Sequence, residues 1–560
     1  MDNKANLTII VKLLKEHGLH HVVISPGGTN QTFVKLIQDD PFFTCYSVVD
    51  ERSAIYFAIG LFLQLKTPIV TSCTSAQATR NYIPGLTEAF YKRIPILAIT
   101  MAKHPRFTYQ EYMQAPDQPS LPKDSVKKSF TLPCVSDSND FLYSARQVNE
   151  AILELTRDEN GPVQLCVPWL DFPLKEDTRE IKKIERVSSP KTYESKLQGK
   201  KVLLCIGEHL PFDDNTKSSI ESFCERYDAV VYANHISNFH GKYSIGENLG
   251  LLTIDFQKFI SELKPDVLIT IGGQTGDYPF FNLFSRNDIK GMEHWSVNKN
   301  GDIRDTYDKL TCVFEMNERD FFDFFSRGNE LCKNHKFFEY WKRYSLSIKN
   351  EISVPFSAVS IARDLAPKLP ENSVIQFSIL NSLRVWNFFP LNPTIECFSN
   401  VGAFGIDGGM STLIGQSVAS EKMSFLVIGD LAFLYDINSL SIRGIKNNLR
   451  ILLVNNSGGV EFKLWGGNNE MIDKFIAAGD SFPNAKGWAE TCGFTYLSAK
   501  NFDEFRNCAD IFVKPSVKPL ILEAFVTDES EAEAYRALVE GNSHMSFSER
   551  AKKAIKRIVK

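Results

Sequence analysis

The stretch FLVIGDLAFLYDINSLSIRGIKNNLRILLVNNSGGVEF, Phe425 to Phe462, carries the strongest structural signal in the chain. A short hydrophobic run, FLVI, stops at Gly429-Asp430. A helical segment follows, and a second run, ILLV, stops at Asn455-Asn456-Ser457-Gly458-Gly459. Strand, helix and strand in that order predict a βαβ unit with parallel strands. Both turns then lie at C-terminal strand ends, where open parallel sheets bind ligands. Asp430 and Asn456 stand 26 residues apart. A carboxylate, an amide oxygen and a nearby backbone carbonyl form a hard oxygen set, suited to Mg²⁺ or Ca²⁺ bridged to phosphate oxygens. Gly458 and Gly459 would let the backbone approach those phosphates. Either dipeptide alone is an ordinary turn; the pair at this spacing is informative.

The same alternation extends outward. From Val354 onward, strand signals recur at Ser373–Gln376, Thr394–Phe398 and Pro519–Ala524. The N-terminal block repeats the pattern, with HVVI (His21–Ile24) stopped by Ser25-Pro26-Gly27-Gly28, then PIVT (Pro68–Thr71) and IPILAIT (Ile94–Thr100). A middle block holds KVLLCIG from Lys201 and DVLITIG at Asp266–Gly272. The expected fold class is α/β, with three consecutive doubly wound parallel-sheet domains over residues 1–185, 198–331 and 351–545. The charged stretch Lys175–Leu197 reads as a linker. The aromatic stripe Phe337, Phe338, Trp341 and Tyr344 reads as a packed helix face.

Composition narrows the function classes. A chain of 560 residues suits three or four domains at about 150 residues each. With 43% hydrophobic and 23% charged residues it is an ordinary globular chain. The net charge of −4 argues against a nucleic-acid binder. No apolar run is long enough for a membrane span, and the polar start, Met1–Leu7, is unlike a secretory signal, so a cytoplasmic enzyme is expected. Eleven cysteines without a CxxC pair fit reduced thiols. Residues 546–560 form a basic tail, either a solvated helix face or an anchor for an anionic surface.

Six runs follow one another in a fixed order: SPGGTNQTF (Ser25–Phe33), DERSAIYFAIGL (Asp50–Leu61), CTSAQATRNYIPGLTEAF (Cys73–Phe90), SNVGAFGIDGGMST (Ser399–Thr412), GDLAFLYDINSL (Gly429–Leu440) and NNSGGVEF (Asn455–Phe462). Together they resemble the SEPHCHC synthases, the thiamine diphosphate enzymes of menaquinone biosynthesis, over nearly the whole chain. The resemblance implies three domains: pyrimidine-binding, middle and diphosphate-binding. It implies thiamine diphosphate and Mg²⁺ as cofactors. Asp430, Asn456 and Gly458 would hold the metal, with Gly429, Leu431 and Gly459 beside the diphosphate and Ile406 propping the cofactor. Leu431 departs from the glycine often found at that place. Glu51 would be the carboxylate that hydrogen-bonds the cofactor's pyrimidine; a buried carboxyl is suited to hold a proton near neutral pH. Since Glu51 and Asp430 would come from different chains, a homo-oligomer is implied, a dimer or a dimer of dimers.

The resemblance breaks where carboxylates should bind. The family's decarboxylation of 2-oxoglutarate and addition to isochorismate needs arginine forks. Here Thr29, Trp386 and Val401 stand at three of those places; Ser382 resembles a substrate-contacting serine, and Gly28 and Phe462 are further expected substrate residues. Arg80 and Arg384 are candidate replacements, and surface roles are equally open to both. Glu461 replaces an apolar residue and suggests a polar substrate. Gln114 resembles an active-site glutamine. His104 could be an added acid–base group or a structural histidine. The expected activity is therefore a decarboxylase or carboligase acting on a 2-oxo acid, with a genuine SEPHCHC synthase and a non-catalytic relative as alternatives.

Overall fold

The computed structural model describes residues 4–169, 185–246, 248–286, 288–302, 304–328, 331–466, 470–475, 479 and 482–543. The basic tail and the first part of the expected linker lie outside them.

Three parallel sheets are arranged in sequence. The first holds β1 (His21–Ile24), β2 (Thr44–Ser47), β3 (Ile69–Cys73), β4 (Ile96–Lys103), β5 (Lys128–Thr131) and β6 (Val163–Trp169), in the order β2-β1-β3-β4-β6-β5. The middle sheet holds β7 (Glu185–Val187), β8 (Lys201–Ile206), β9 (Asp228–Ala233), β10 (Ser244–Ile245), β11 (Val267–Ile271), β12 (Glu293–Val297) and β13 (Leu310–Phe314), in the order β10-β9-β8-β11-β12-β13-β7. The third holds β14 (Val374–Phe377), β15 (Glu396–Ser399), β16 (Ser424–Gly429), β17 (Leu449–Asn455), β18 (Thr495–Ala499) and β19 (Leu520–Phe525), in the order β15-β14-β16-β17-β19-β18. The expected α/β class with three parallel-sheet domains is what the chain adopts. The central strands are buried along nearly their whole length because helices cover both faces, and apolar residues fill most but not all of their positions.

The first and third sheets share one winding: relative to its first strand, each runs 2-1-3-4-6-5. The chain therefore reverses direction beside β1 in one domain and beside β14 in the other, and crevices open at such switch points. Glu185–Val187, within the stretch read as a linker, instead pairs with β13 as an edge strand of the middle sheet. It is short and carries two charged residues, so it sends no periodic signal. The aromatic stripe is core as expected: Phe337, Phe338, Trp341 and Tyr344 are all buried on the helix Lys336–Leu346.

Local chemistry sets the functional ends. Asp50 caps the helix Glu51–Leu65, its carboxylate accepting from the N–H groups of Arg52 and Ser53. The helix stops at Lys66 in the left-handed conformation, φ 57°. Gly27 is required by close approach, since a Cβ there would lie 2.3 Å from Thr74 Cβ.

Candidate active site

β16 and β17 pair with Gly429 opposite Val454, so their C-terminal ends are level. This register brings Asp430 against the turn after β17. Asp430 is 2% exposed, and its Oδ2 accepts from the backbone N–H groups of Asn456 (3.1 Å) and Gly458 (3.0 Å). Its Oδ1 accepts from Leu431 N–H at 2.8 Å. The turn is braced from beneath. Asn455 Oδ1 accepts from Ser457 N–H, and Asn455 Nδ2 donates to the fully buried Glu523 at 2.7 Å. Glu523 also accepts from Ala485 N–H and the Tyr496 hydroxyl. Ser457 sits at φ 61°, a strained conformation for a non-glycine residue that this bracing holds in place.

A crevice of about 110 Å³ opens there. Gly429, Asp430, Leu431, Asn456, Gly458 and Gly459 line it on one side, and Ile406, Asn381, Ser382 and Trp386 on the other. It lies at the β14/β16 switch point. The amide oxygen of Asn456 is buried and has no hydrogen-bond partner. An orphaned hard oxygen beside a buried carboxylate fits a divalent cation carrying a diphosphate. Asp430, Asn456 and the Gly458 backbone would hold it.

Glu51 opens the helix that follows β2 and is 7% exposed. Burial pushes its carboxyl up from an ordinary 4.5 to about 7; the Tyr435 hydroxyl opposes that shift, while Asp50 and Asp407 add to it. Tyr435 ends the short helix that begins at Asp430. Its hydroxyl donates to the Glu51 carboxylate and accepts from Asn81 Nδ2 at 2.9 Å. Within one chain, then, Glu51 meets the helix that begins at Asp430 through Tyr435 and does not line the crevice.

The remaining expected residues divide. Thr29 is spent inside the protein: its hydroxyl accepts from Ser75 N–H at 2.7 Å and pairs with Thr74 Oγ1 at 2.8 Å. A Cβ added at Gly28 would lie 4.0 Å from the Phe462 ring, where the first and third domains meet. Val401 is enclosed in the third domain's core, and Trp386, 2% exposed, packs in the same core where it lines the crevice. Arg384 is 5% exposed and gives its whole fork to Glu461, at 2.8 and 3.0 Å. Glu461 lines the crevice, so this wall presents a carboxylate already compensated from behind. Arg80 is exposed and donates to the Asp117 carbonyl at 2.7 Å. His104 accepts from Arg106 N–H through Nδ1, and burial lowers its basicity. Gln114 lies outside the crevice, at φ 60° in a loop tied to the middle domain by Gln110 and by Glu111 with Arg304 at 3.1 Å.

Tyr435, Asn381, Glu523 and Glu531 carry no mark in the sequence. Each acts through a partner tens to hundreds of residues away, so no local spacing singles them out. Tyr435, five residues after Asp430 on a one-and-a-half-turn helix, is the one that helical geometry could have flagged.

Residues 7–121 match the family described as "Thiamine pyrophosphate enzyme, N-terminal TPP binding domain". The whole chain is similar to curated 2-succinyl-5-enolpyruvyl-6-hydroxy-3-cyclohexene-1-carboxylate synthases. The protein of Phocaeicola vulgatus is 32% identical over 96% of this chain and 98% of its own. That of Bacteroides thetaiotaomicron is 32% identical over 95% and 97%. That of Flavobacterium psychrophilum is 31% identical over 92% and 95%.

Proposed function

Because this chain belongs to the SEPHCHC synthase family of thiamine diphosphate enzymes, we propose that it is a Mg²⁺-dependent decarboxylase or carboligase whose carboxylate-binding groups have been replaced. The observation that carries this reading is the crevice itself. It combines a buried Asp430, an unpartnered Asn456 oxygen and a charge-compensated Glu461. When bound, thiamine diphosphate would supply the electron sink for decarboxylation of a 2-oxo acid. The chain's own groups do the rest. Asp430 and Asn456 anchor the cation. Glu51, poised near neutrality, holds or releases a proton at its carboxyl oxygen. Arg384 holds Glu461 in place through two hydrogen bonds, so that the carboxylate favours a substrate offering hydroxyl or amine donors over a second carboxylate. The strongest support for a genuine SEPHCHC synthase instead is the near full-length identity to curated synthases.

The metal reading has a direct test. Asp430→Ala should abolish Mg²⁺-dependent binding of thiamine diphosphate in calorimetry, because the carboxylate also organises the 456–458 turn through two N–H groups. Affinity equal to that of the unaltered chain would remove the metal-bridge assignment.

The same reading makes the enzyme a homodimer or larger. At about 110 Å³ the crevice is smaller than the roughly 300–1,000 Å³ that encloses an organic cofactor, which supports completion of the site by a second copy. The helix that starts at Glu51 leaves Tyr56 (45% exposed) and Leu63 (44%) on one outer face. They stand seven residues apart, two helical turns, and offer an apolar surface to a second copy. Sedimentation should give at least twice the chain mass. A double substitution, Tyr56→Asp with Leu63→Asp, should shift it to monomer and weaken cofactor binding in parallel. Full activity in a monomer would end the interface model.

A further inference from the structure

Glu531 is 1% exposed on the helix Asp528–Asn542, apart from the residues that hold the cation or the proton. Its Oε1 accepts from Ala358 N–H at 2.7 Å, at the start of the helix Ala358–Leu365. Its Oε2 lies 3.5 Å from Asn381 Nδ2, a long contact. Ala358 and Asn381 both line the crevice beside Asp430. The Asn381 oxygen is buried without a partner. The residue before it, Leu380, has φ 62° and ψ −123°, a conformation that costs a non-glycine residue energy and recurs at ligand sites.

The amide therefore faces the wrong way for its surroundings. It spends a donor on a weak contact and leaves an acceptor unmet beside the crevice. Amide oxygen and nitrogen are assigned from their hydrogen-bond network. Exchanging them gives the Asn381 oxygen a donor and leaves its N–H groups for a ligand. A protonated Glu531 would keep its bond from Ala358 N–H on one oxygen and donate from the other to Asn381 Oδ1. The two N–H donors of Asn381 would then be released toward the crevice. Burial, with a smaller contribution from the charge of Asp430, raises the Glu531 carboxyl from an ordinary 4.5 to about 7, so the protonated acid is accessible at neutral pH. The other charged groups around this helix are committed elsewhere: Arg384 to Glu461, Lys463 to Asp528, and Arg363 to the Ile352 carbonyl.

We propose that Glu531 is a positioning residue that, by donating to Asn381 Oδ1, turns the Asn381 amide so that its N–H donors meet the diphosphate of the bound cofactor. This presupposes that thiamine diphosphate occupies the crevice.

Glutamine reproduces the protonated acid atom for atom, with an oxygen to accept from Ala358 and an N–H to donate to Asn381. Calorimetric titration with thiamine diphosphate and Mg²⁺, and with inorganic pyrophosphate and Mg²⁺, separates the outcomes. Glu531→Gln should bind within about threefold of the unaltered chain. Glu531→Ala and Asn381→Ala should each bind about tenfold more weakly, and the double variant no more weakly than either alone, because one contact is removed in all three. Equal loss in Glu531→Gln and Glu531→Ala would overturn the assignment, as would a double variant about a hundredfold weaker. Binding by all variants equal to that of the unaltered chain would overturn this assignment alone. Failure of the unaltered chain to bind either ligand would overturn the diphosphate reading and this assignment with it. Should Glu531→Ala not fold, Asn381→Ala and Glu531→Gln alone decide the matter, tenfold loss against none.

Discussion

Glu51→Gln is expected to bind thiamine diphosphate with nearly unchanged affinity, yet to exchange the cofactor's C2 proton about 10²–10⁴-fold more slowly, the usual weight of a positioned acid–base group. Glutamine keeps the shape and can still meet the Tyr435 hydroxyl. It cannot hold and release a proton. The site is tuned for that exchange: burial raises the carboxyl to about 7, while the Tyr435 hydroxyl keeps the ionised form accessible. Nuclear magnetic resonance of quenched samples in deuterated water reads the rate, and an unchanged rate would sink the role. Stability carries the same signature with a definite sign. A folded-state value near 7 against an ordinary 4.5 means that the folded chain holds an extra proton between those values. That contribution is fully present below about 4.5 and is lost as pH rises through 7, on the order of 3 kcal/mol for a group this buried. Cofactor-free Glu51→Gln should therefore melt above the unaltered chain at pH 8 and lose that advantage near pH 5.

The fold was legible because parallel strands covered on both faces leave unbroken apolar runs, such as ILLV before Asn455. The GD and NN turns were legible for the same reason: each ends a buried strand, and Asp430 does meet the 456–458 turn. The common winding of the first and third sheets was not legible. Strand order depends on pairings between segments far apart, and the two blocks share no run of residues long enough to reveal it. Individual side chains fared by the range of their contacts. Trp386 and Val401 stand where the resemblance places carboxylate-binding arginines; both are packed in the core, yet Trp386 lines the crevice and Val401 does not, because whether a residue lines a cleft or backs it is set by neighbouring helices. Arg384 reads from sequence as an available cation. It lies 77 positions from the carboxylate that holds it, and no local pattern announces a partner at that distance. Glu51 and Tyr435, 384 positions apart, are the extreme case.

Turnover of 2-oxoglutarate with isochorismate should be at least about a thousandfold below that of an arginine-bearing synthase in kcat/KM. Each lost charge-assisted contact to a carboxylate is worth roughly 1.5–3 kcal/mol, and three lost contacts at even the lower figure exceed three powers of ten. Thr29 has its hydroxyl tied to Ser75 and Thr74, Val401 and Trp386 are enclosed in apolar packing, and none can pair with a carboxylate. Nor can Arg384 substitute while Glu461 occupies both arms of its fork. Releasing it separates two explanations. In Glu461→Gln the fork loses its bidentate partner, and a carboxylate entering the crevice gains a cation in place of a repelling anion. Activity toward the dicarboxylate pair should then rise, while turnover of a hydroxyl- or amine-bearing acceptor should fall. Efficient product formation by the unaltered chain would show that other cations anchor the substrate, with Arg80 the first to replace by alanine. The cofactor assignment would survive that result, since Asp430 and Asn456 owe nothing to the substrate's charge.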